Sequence, residues 1–93
     1  MSAMRVARRF LISGRVQGVG FRYFTEAAAA REGIDGWVRN TPDGRVEIAA
    51  EGETDAMTRF EASVRTGPGG AHVTHVNVDS VEPAGTQHGF TIR

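Results

Sequence analysis

Three glycines fall within the seven residues from Gly14 to Gly20, in the stretch GRVQGVGFR, and Phe21 and Arg22 follow at once. Glycine reaches positive φ without steric cost, so such a run lets the backbone curl until successive N–H groups converge. Arg22 adds one planar guanidinium, a fork matched to the edge of a phosphate. The chemistry on offer is the binding of a small anion. Beyond the loop, FRYFTEAAAARE places Phe21, Phe24 and Ala28 at helical spacing, so Arg22 falls in the first turn of a helix. No Ser, Thr, Asp or Asn caps that helix, which leaves its first N–H groups without a side-chain acceptor. A cation beside the positive end of the helix dipole is disfavoured by a few tenths to about 1 kcal/mol. An anion placed between the two removes the conflict. The plainer reading is a glycine-rich surface loop carrying an exposed arginine.

Three nucleotide or phosphate motifs do not fit the stretch. A phosphate loop ending in Gly-Lys-Ser/Thr requires a lysine, and the chain has none. A dinucleotide fingerprint is matched by Gly18 and Gly20, but Tyr23 stands where its third glycine belongs. The aromatic RNA-binding signature is matched by Gly18, Gly20, Phe21 and Phe24 and missed at Gln17, Val19 and Arg22. That signature belongs on a strand, whereas its second half here enters a helical pattern. A ferredoxin-like RNA-binding module stays open as the alternative function.

The elements that must position the loop are readable. Residues 5–13 alternate as a strand, with Phe10 and Ile12 on one side and Leu11 and Ser13 on the other. The helix of 21–32 ends at Gly33, a C-terminal cap. GWVRN at 36–40 and RVEIAAE at 45–51 form a hairpin around the turn TPDG, with Val46, Ile48 and Ala50 facing one way. Residues 54–66 form a second helix, capped by Thr54, with Ala56, Met57, Phe60 and Val64 as its apolar stripe. HVTHVNVDSV at 72–81 is a strand, but Val73 and Val76 have opposite parity, which predicts a bulge or a late start. GFTIR is a last strand, with Phe90 and Ile92 facing in and a possible split from the strand before it. The order β-α-β-β-α-β predicts an α+β, ferredoxin-like sandwich: an antiparallel sheet with two helices on one face. Such a fold hosts many functions and assigns none.

Composition bounds the partners. A chain of 93 residues predicts one domain, residues 1–93. Eleven basic residues, all Arg, balance eleven acidic ones, so no broad field draws nucleic acid or an anionic membrane. The chain contains no cysteine, which excludes disulfides, thiol catalysis and cysteine metal sites and points to the cytoplasm. No apolar run is long enough for a membrane span.

The loop with its arginine, followed by a helix and then by GWVRNTPDGRVEIAAEG, resembles the acylphosphatase family. The match is densest from Gly14 to Gly52, and the remaining elements fit that family in length and order. The resemblance implies an enzyme that hydrolyses a small-molecule acyl phosphate to a carboxylate and inorganic phosphate, without metal or other cofactor and as a monomer. Inorganic phosphate would be both product and inhibitor. The resemblance further implies that Arg15, Val16, Gln17, Gly18, Val19 and Gly20 bind the phosphate through backbone N–H groups. It has Arg22 hold the phosphate and stabilise its charge, and Asn40 position the attacking water. Where the family often has two adjacent prolines after the second helix, this chain has Pro68 and Gly69. Read on its own residues, Asn40 is a turn-initiating asparagine whose parity with Val38 carries it off the strand end.

Other polar candidates read as structural. His72 and His75, three apart on a strand, are expected on opposite faces, and with His88 they read as solvated histidines. Arg8 and Arg9 read as edge or open-face charges, Asp43 as a turn residue, and Phe21, Phe24 and Trp37 as packing.

Overall fold

The computed structural model describes residues 4–85 and 88–93. Seven elements follow in order: β1 Arg5–Arg15, α1 Phe21–Glu32, β2 Asp35–Asn40, β3 Val46–Glu53, α2 Thr54–Thr66, β4 His72–Val81 and β5 Phe90–Ile92. The strands form one sheet in the order β4-β1-β3-β2-β5. The first four make the antiparallel ferredoxin-like sandwich expected from the pattern of elements. The expected split after residue 81 is present, and it sends the chain across the sheet: β5 lies parallel to β2, with Gly36 opposite Phe90 and Val38 opposite Ile92.

The alternation of β1 and β3 decides which face is covered. Phe10 pairs with Ile48 and Ile12 with Val46, and all four are fully buried. They meet the stripe of α2, where Ala56, Met57, Phe60 and Val64 are buried, and the inner face of α1, where Phe21, Thr25, Ala28 and Ala29 are buried. Phe60 is the hub, its ring edge-on to Phe10 at 6.0 Å and tilted against Phe90 at 6.1 Å. Complete burial of a side chain of this size contributes about 1.5–3 kcal/mol. The opposite sheet face carries Arg9, Trp37, Arg39, Glu47 and Glu51 and is uncovered by helices.

Gly33 caps α1 in the left-handed region, φ 68°, as predicted. The cap of α2 is Glu53 rather than Thr54. Thr54 is already helical, and its hydroxyl donates instead to the carbonyl of Met4 at 3.1 Å. The bulge predicted in residues 72–81 is present: Ser13 pairs with His75 but Gly14 pairs with Val73, so Thr74 is the extra residue. Val73 and Val76 therefore both pack against the core. The same bulge overturns the expected placement of the histidines, since His72 and His75 fall together on the exposed side. Arg8 and Arg9 sit on a central strand, not an edge. Arg8 faces α2 and pairs with Glu61 at 3.1 Å, whereas Arg9 lies on the open face with Glu47 at 3.0 Å.

Candidate active site

The glycine stretch joins β1 to α1. Gly14 belongs to the strand: at φ 123° its backbone passes so close to β4 that a Cβ would stand 2.1 Å from the carbonyl oxygen of His72. Gly18 and Gly20 have a different reason. Open space surrounds both, but their φ values are 74° and 80°, where an L side chain is strained. No non-glycine residue has positive φ among the described residues, so the sign of φ alternates from Gln17 to Phe21. Such alternation turns successive amides to one side and makes an anion-binding concavity.

Helix α1 begins directly from this curl. Its N-cap is Gly20, no side chain caps it, and no acidic residue lies in its first turn. The Gly20 carbonyl accepts from the Phe24 amide at 3.0 Å. Among the described residues, the amides of 17–23 donate to no carbonyl or side chain outside the helix. Those donors have no protein acceptor, and the helix dipole adds its positive end at the same place.

Arg22 is half-buried in that first turn and, among the described residues, engages no Asp or Glu side chain. Its Nη1 donates to the main-chain oxygen of Arg93 at 3.1 Å. Asn40 ends β2 opposite Val46, at the edge of the same hollow. A concavity of about 220 Å³ is lined by Val16, Gly18, Gly20, Phe21, Arg22, Tyr23 and Asn40. Among the described residues, Asn40 is the one lining residue from outside the loop and helix. Of the other residues singled out by sequence, Val16 is buried beneath the loop and Val19 packs against the core. Arg15 ends β1 opposite His72 with its side chain exposed.

Gln17 plays a part the sequence did not disclose. Its Nε2 donates to the carbonyls of Thr41 and Arg45, at 2.8 and 2.9 Å. The glycine loop is thereby tied to the β2–β3 turn one residue beyond Asn40. That turn is held in its own right. Asp43 accepts from Arg45 Nε at 3.0 Å and from the Thr41 hydroxyl, and its carboxyl is lowered to about 2, chiefly by the Arg45 bond. Arg93 was also missed, because its contact with Arg22 joins residues 71 apart in sequence.

Elsewhere no buried side-chain polar atom among the described residues lacks a partner. A hollow of similar volume on the open face is lined by Arg9, Asp35, Trp37 and Glu51 among others. Most of its charges are paired: Asp35 and Glu51 with Arg5, Arg9 with Glu47, and Arg8 with Glu61. His75 Nε2 lies 2.8 Å from Asn77 Oδ1, away from the loop. Among the described residues no three His, Asp or Glu side chains gather as a metal site, and no helix is long and apolar enough to cross a membrane. The half-matched RNA-binding signature lies on loop and helix, not on a strand, so its aromatics form no stacking platform on the sheet.

Together the fold and the groups at this loop define a class, a small ferredoxin-like α+β protein with a glycine loop, a helix without a side-chain cap and an arginine around one concavity. A family model described as Acylphosphatase matches residues 8–92. An acylphosphatase of Anaeromyxobacter dehalogenans (strain 2CP-C) is 47% identical over 91 residues, covering 98% of each chain. One of Salinibacter ruber (strain DSM 13855 / M31) is 48% identical over 89 residues, 96% of this chain and 92% of that one. The crystal structure of acylphosphatase from Bacillus subtilis matches with a TM-score of 0.91 at 41% identity, covering 95% of this chain and 98% of that chain. The chain belongs to the acylphosphatase family. It is accordingly a hydrolase whose substrate is a small-molecule acyl phosphate.

Proposed function

We propose that residues 1–93 act as one acylphosphatase domain in which the glycine loop and Arg22 hold the phosphoryl group and Asn40 holds the water. The observation that carries this assignment is the meeting of Asn40 with Gly18, Gly20 and Arg22 around one concavity. Amides of residues 15–20 would receive the phosphoryl oxygens, with the Arg22 guanidinium closing on them from the helix. Both donors are fixed before substrate arrives, which is what charge stabilisation in a transition state requires.

The water attacks phosphorus in line with the acyl oxygen. The P–O bond to the acyl group breaks, and its electron pair leaves with the carboxylate. The water's proton passes to a phosphoryl oxygen, giving inorganic phosphate. A carboxylate is a good leaving group, so no general acid is needed and no metal or phosphoenzyme enters the scheme. Positioning and charge stabilisation carry the reaction. Inorganic phosphate, as product, competes for the same amides. The domain is expected to work as a monomer, and a chain without cysteine suits the cytoplasm.

The test is phosphate release from benzoyl phosphate in the presence of a chelator. Turnover is expected to persist with chelator, to fall about 10³-fold in Arg22→Ala, and to fall about 10²-fold in Asn40→Ala. Near-wild-type turnover in either folded variant would remove that residue from its role.

A further inference from the structure

The guanidinium of Arg22 must point into the loop, and nothing on its own helix fixes its direction. Its hydrogen bond runs outward, from Nη1 to the main-chain oxygen of Arg93. One terminal nitrogen is thereby committed, which leaves Nη2 and Nε as a fork for a ligand. The aim of Arg22 is then only as firm as the position of Arg93.

Two ties hold Arg93. Its N–H donates to the Val38 carbonyl at 2.8 Å. Its guanidinium lies over the Trp37 ring at 4.4 Å from the centroid. The second tie matters because β5 is only three residues long and sits at the sheet edge, where local opening is easiest. Among the described residues no Asp or Glu pairs with Arg93. Arg9 also lies over Trp37, at 5.3 Å, but Glu47 holds it independently at 3.0 Å. Trp37 is the only tryptophan in the chain, and its ring lies on the open face, where it adds nothing to the helix-covered core.

We propose that Trp37 and Arg93 are positioning residues for Arg22: the stacked Arg93–Trp37 pair fixes the Arg93 main-chain oxygen, which aims the Arg22 guanidinium into the glycine loop. The proposal rests on the reading of Arg22 as the residue that holds the phosphoryl group. It makes the open sheet face, with no substrate on it, part of the machinery for turnover.

Steady-state hydrolysis of benzoyl phosphate by the full chain, with thermal melting in parallel, tests it. Arg93→Ala keeps the main-chain oxygen and removes only the stack. It should leave melting almost unchanged and lower kcat/KM roughly tenfold, since small misplacements of a catalytic group are costly. Arg93→Lys restores a cation over the ring and should recover most of the rate. Trp37→Ala should match Arg93→Ala, and combining the two should add less than about twofold, because both remove one interaction. Arg9→Gln, at the other cation over the ring, should stay within about twofold of wild type. Wild-type turnover in Arg93→Ala, or an Arg93→Lys as slow as Arg93→Ala, overturns the proposal. Should Trp37→Ala not fold, the two Arg93 variants decide alone. Full turnover in Arg22→Ala would instead sink the reading of Arg22 itself. A slow Arg22→Ala beside a fast Arg93→Ala removes only the positioning role.

Discussion

The Gln17 side chain reaches from the glycine loop to the Thr41 carbonyl, 2.8 Å away, and so sets the spacing between the loop and Asn40. The same nitrogen also serves the Arg45 carbonyl at 2.9 Å. Both carbonyls have another donor, the Gly44 amide for Thr41 and the Thr41 amide for Arg45. Gln17→Ala therefore leaves neither acceptor stranded and should cost only about 1 kcal/mol in denaturant unfolding. Turnover should suffer more, roughly tenfold in kcat, because loop and Asn40 lose their common reference. Gln17→Glu should be worse on both measures, since an ionised carboxylate only accepts and would face two carbonyls.

The glycines separate by the reason each is needed. Gly18→Ala and Gly20→Ala meet open space and pay only for positive φ, about 1–2 kcal/mol each. They should fold and bind inorganic phosphate more weakly, because relaxing φ turns the amides away. Gly14→Ala meets the His72 backbone and cannot be relieved by a side-chain movement. It should lose several kcal/mol and fold poorly. Calorimetry of phosphate binding beside thermal melting distinguishes the two kinds of loss.

Much of the fold was legible because its periods are strong. Phe21, Phe24 and Ala28 mark the first helix, Ala56 to Val64 mark the second, and the parity break between Val73 and Val76 announces the bulge. That bulge was not carried through to His72 and His75, whose parity it reverses. Arg8 was misjudged because a charge on a central strand is rare without a helix partner such as Glu61, and sequence does not show that partner. At the candidate site, Gly18, Gly20, Arg22 and Asn40 stand out in the sequence as local features, and the structure brings them to one concavity. Arg93 was not readable, since its contact depends on β5 crossing to the far edge beside β2. Gln17 was read through its backbone, whereas its side chain acts through a turn 24 residues away.

Acid should loosen the β2–β3 turn through Asp43. Its folded pKa is lowered from 3.8 to about 2, first by Arg45 and then by Thr41. A depressed carboxylate adds stability in full above its unfolded value and loses it as pH falls through the folded value. The melting temperatures of wild type and Asp43→Asn should therefore differ above about pH 4 and converge towards about pH 2. Glu47, which burial alone would raise, is lowered by Arg39 and Arg9, and Glu51 is lowered chiefly by the Gly85 amide. Both carboxylates steepen acid loss in wild type and variant alike, so the difference isolates Asp43. A gap that stays constant over that range would assign the turn's stability to something other than this carboxylate.

Binding and water positioning are separable at Arg22 and Asn40. Inorganic phosphate that binds the folded chain alone should stabilise it by about 2.7 kcal/mol at 100 times its dissociation constant. For a chain of this length each kcal/mol corresponds to about 4–8 °C in Tm, so the expected rise is easily measured. Arg22→Ala removes the only side-chain cation that lines the concavity among the described residues and should abolish most of that rise. Asn40→Ala removes a group assigned to water, not to phosphate, and should keep the rise while turnover falls. Thermal melting across a phosphate titration, run on both variants beside the hydrolysis assay, reads the two roles independently. Loss of the phosphate effect in Asn40→Ala would place that asparagine on the phosphate and leave the attacking water to another group.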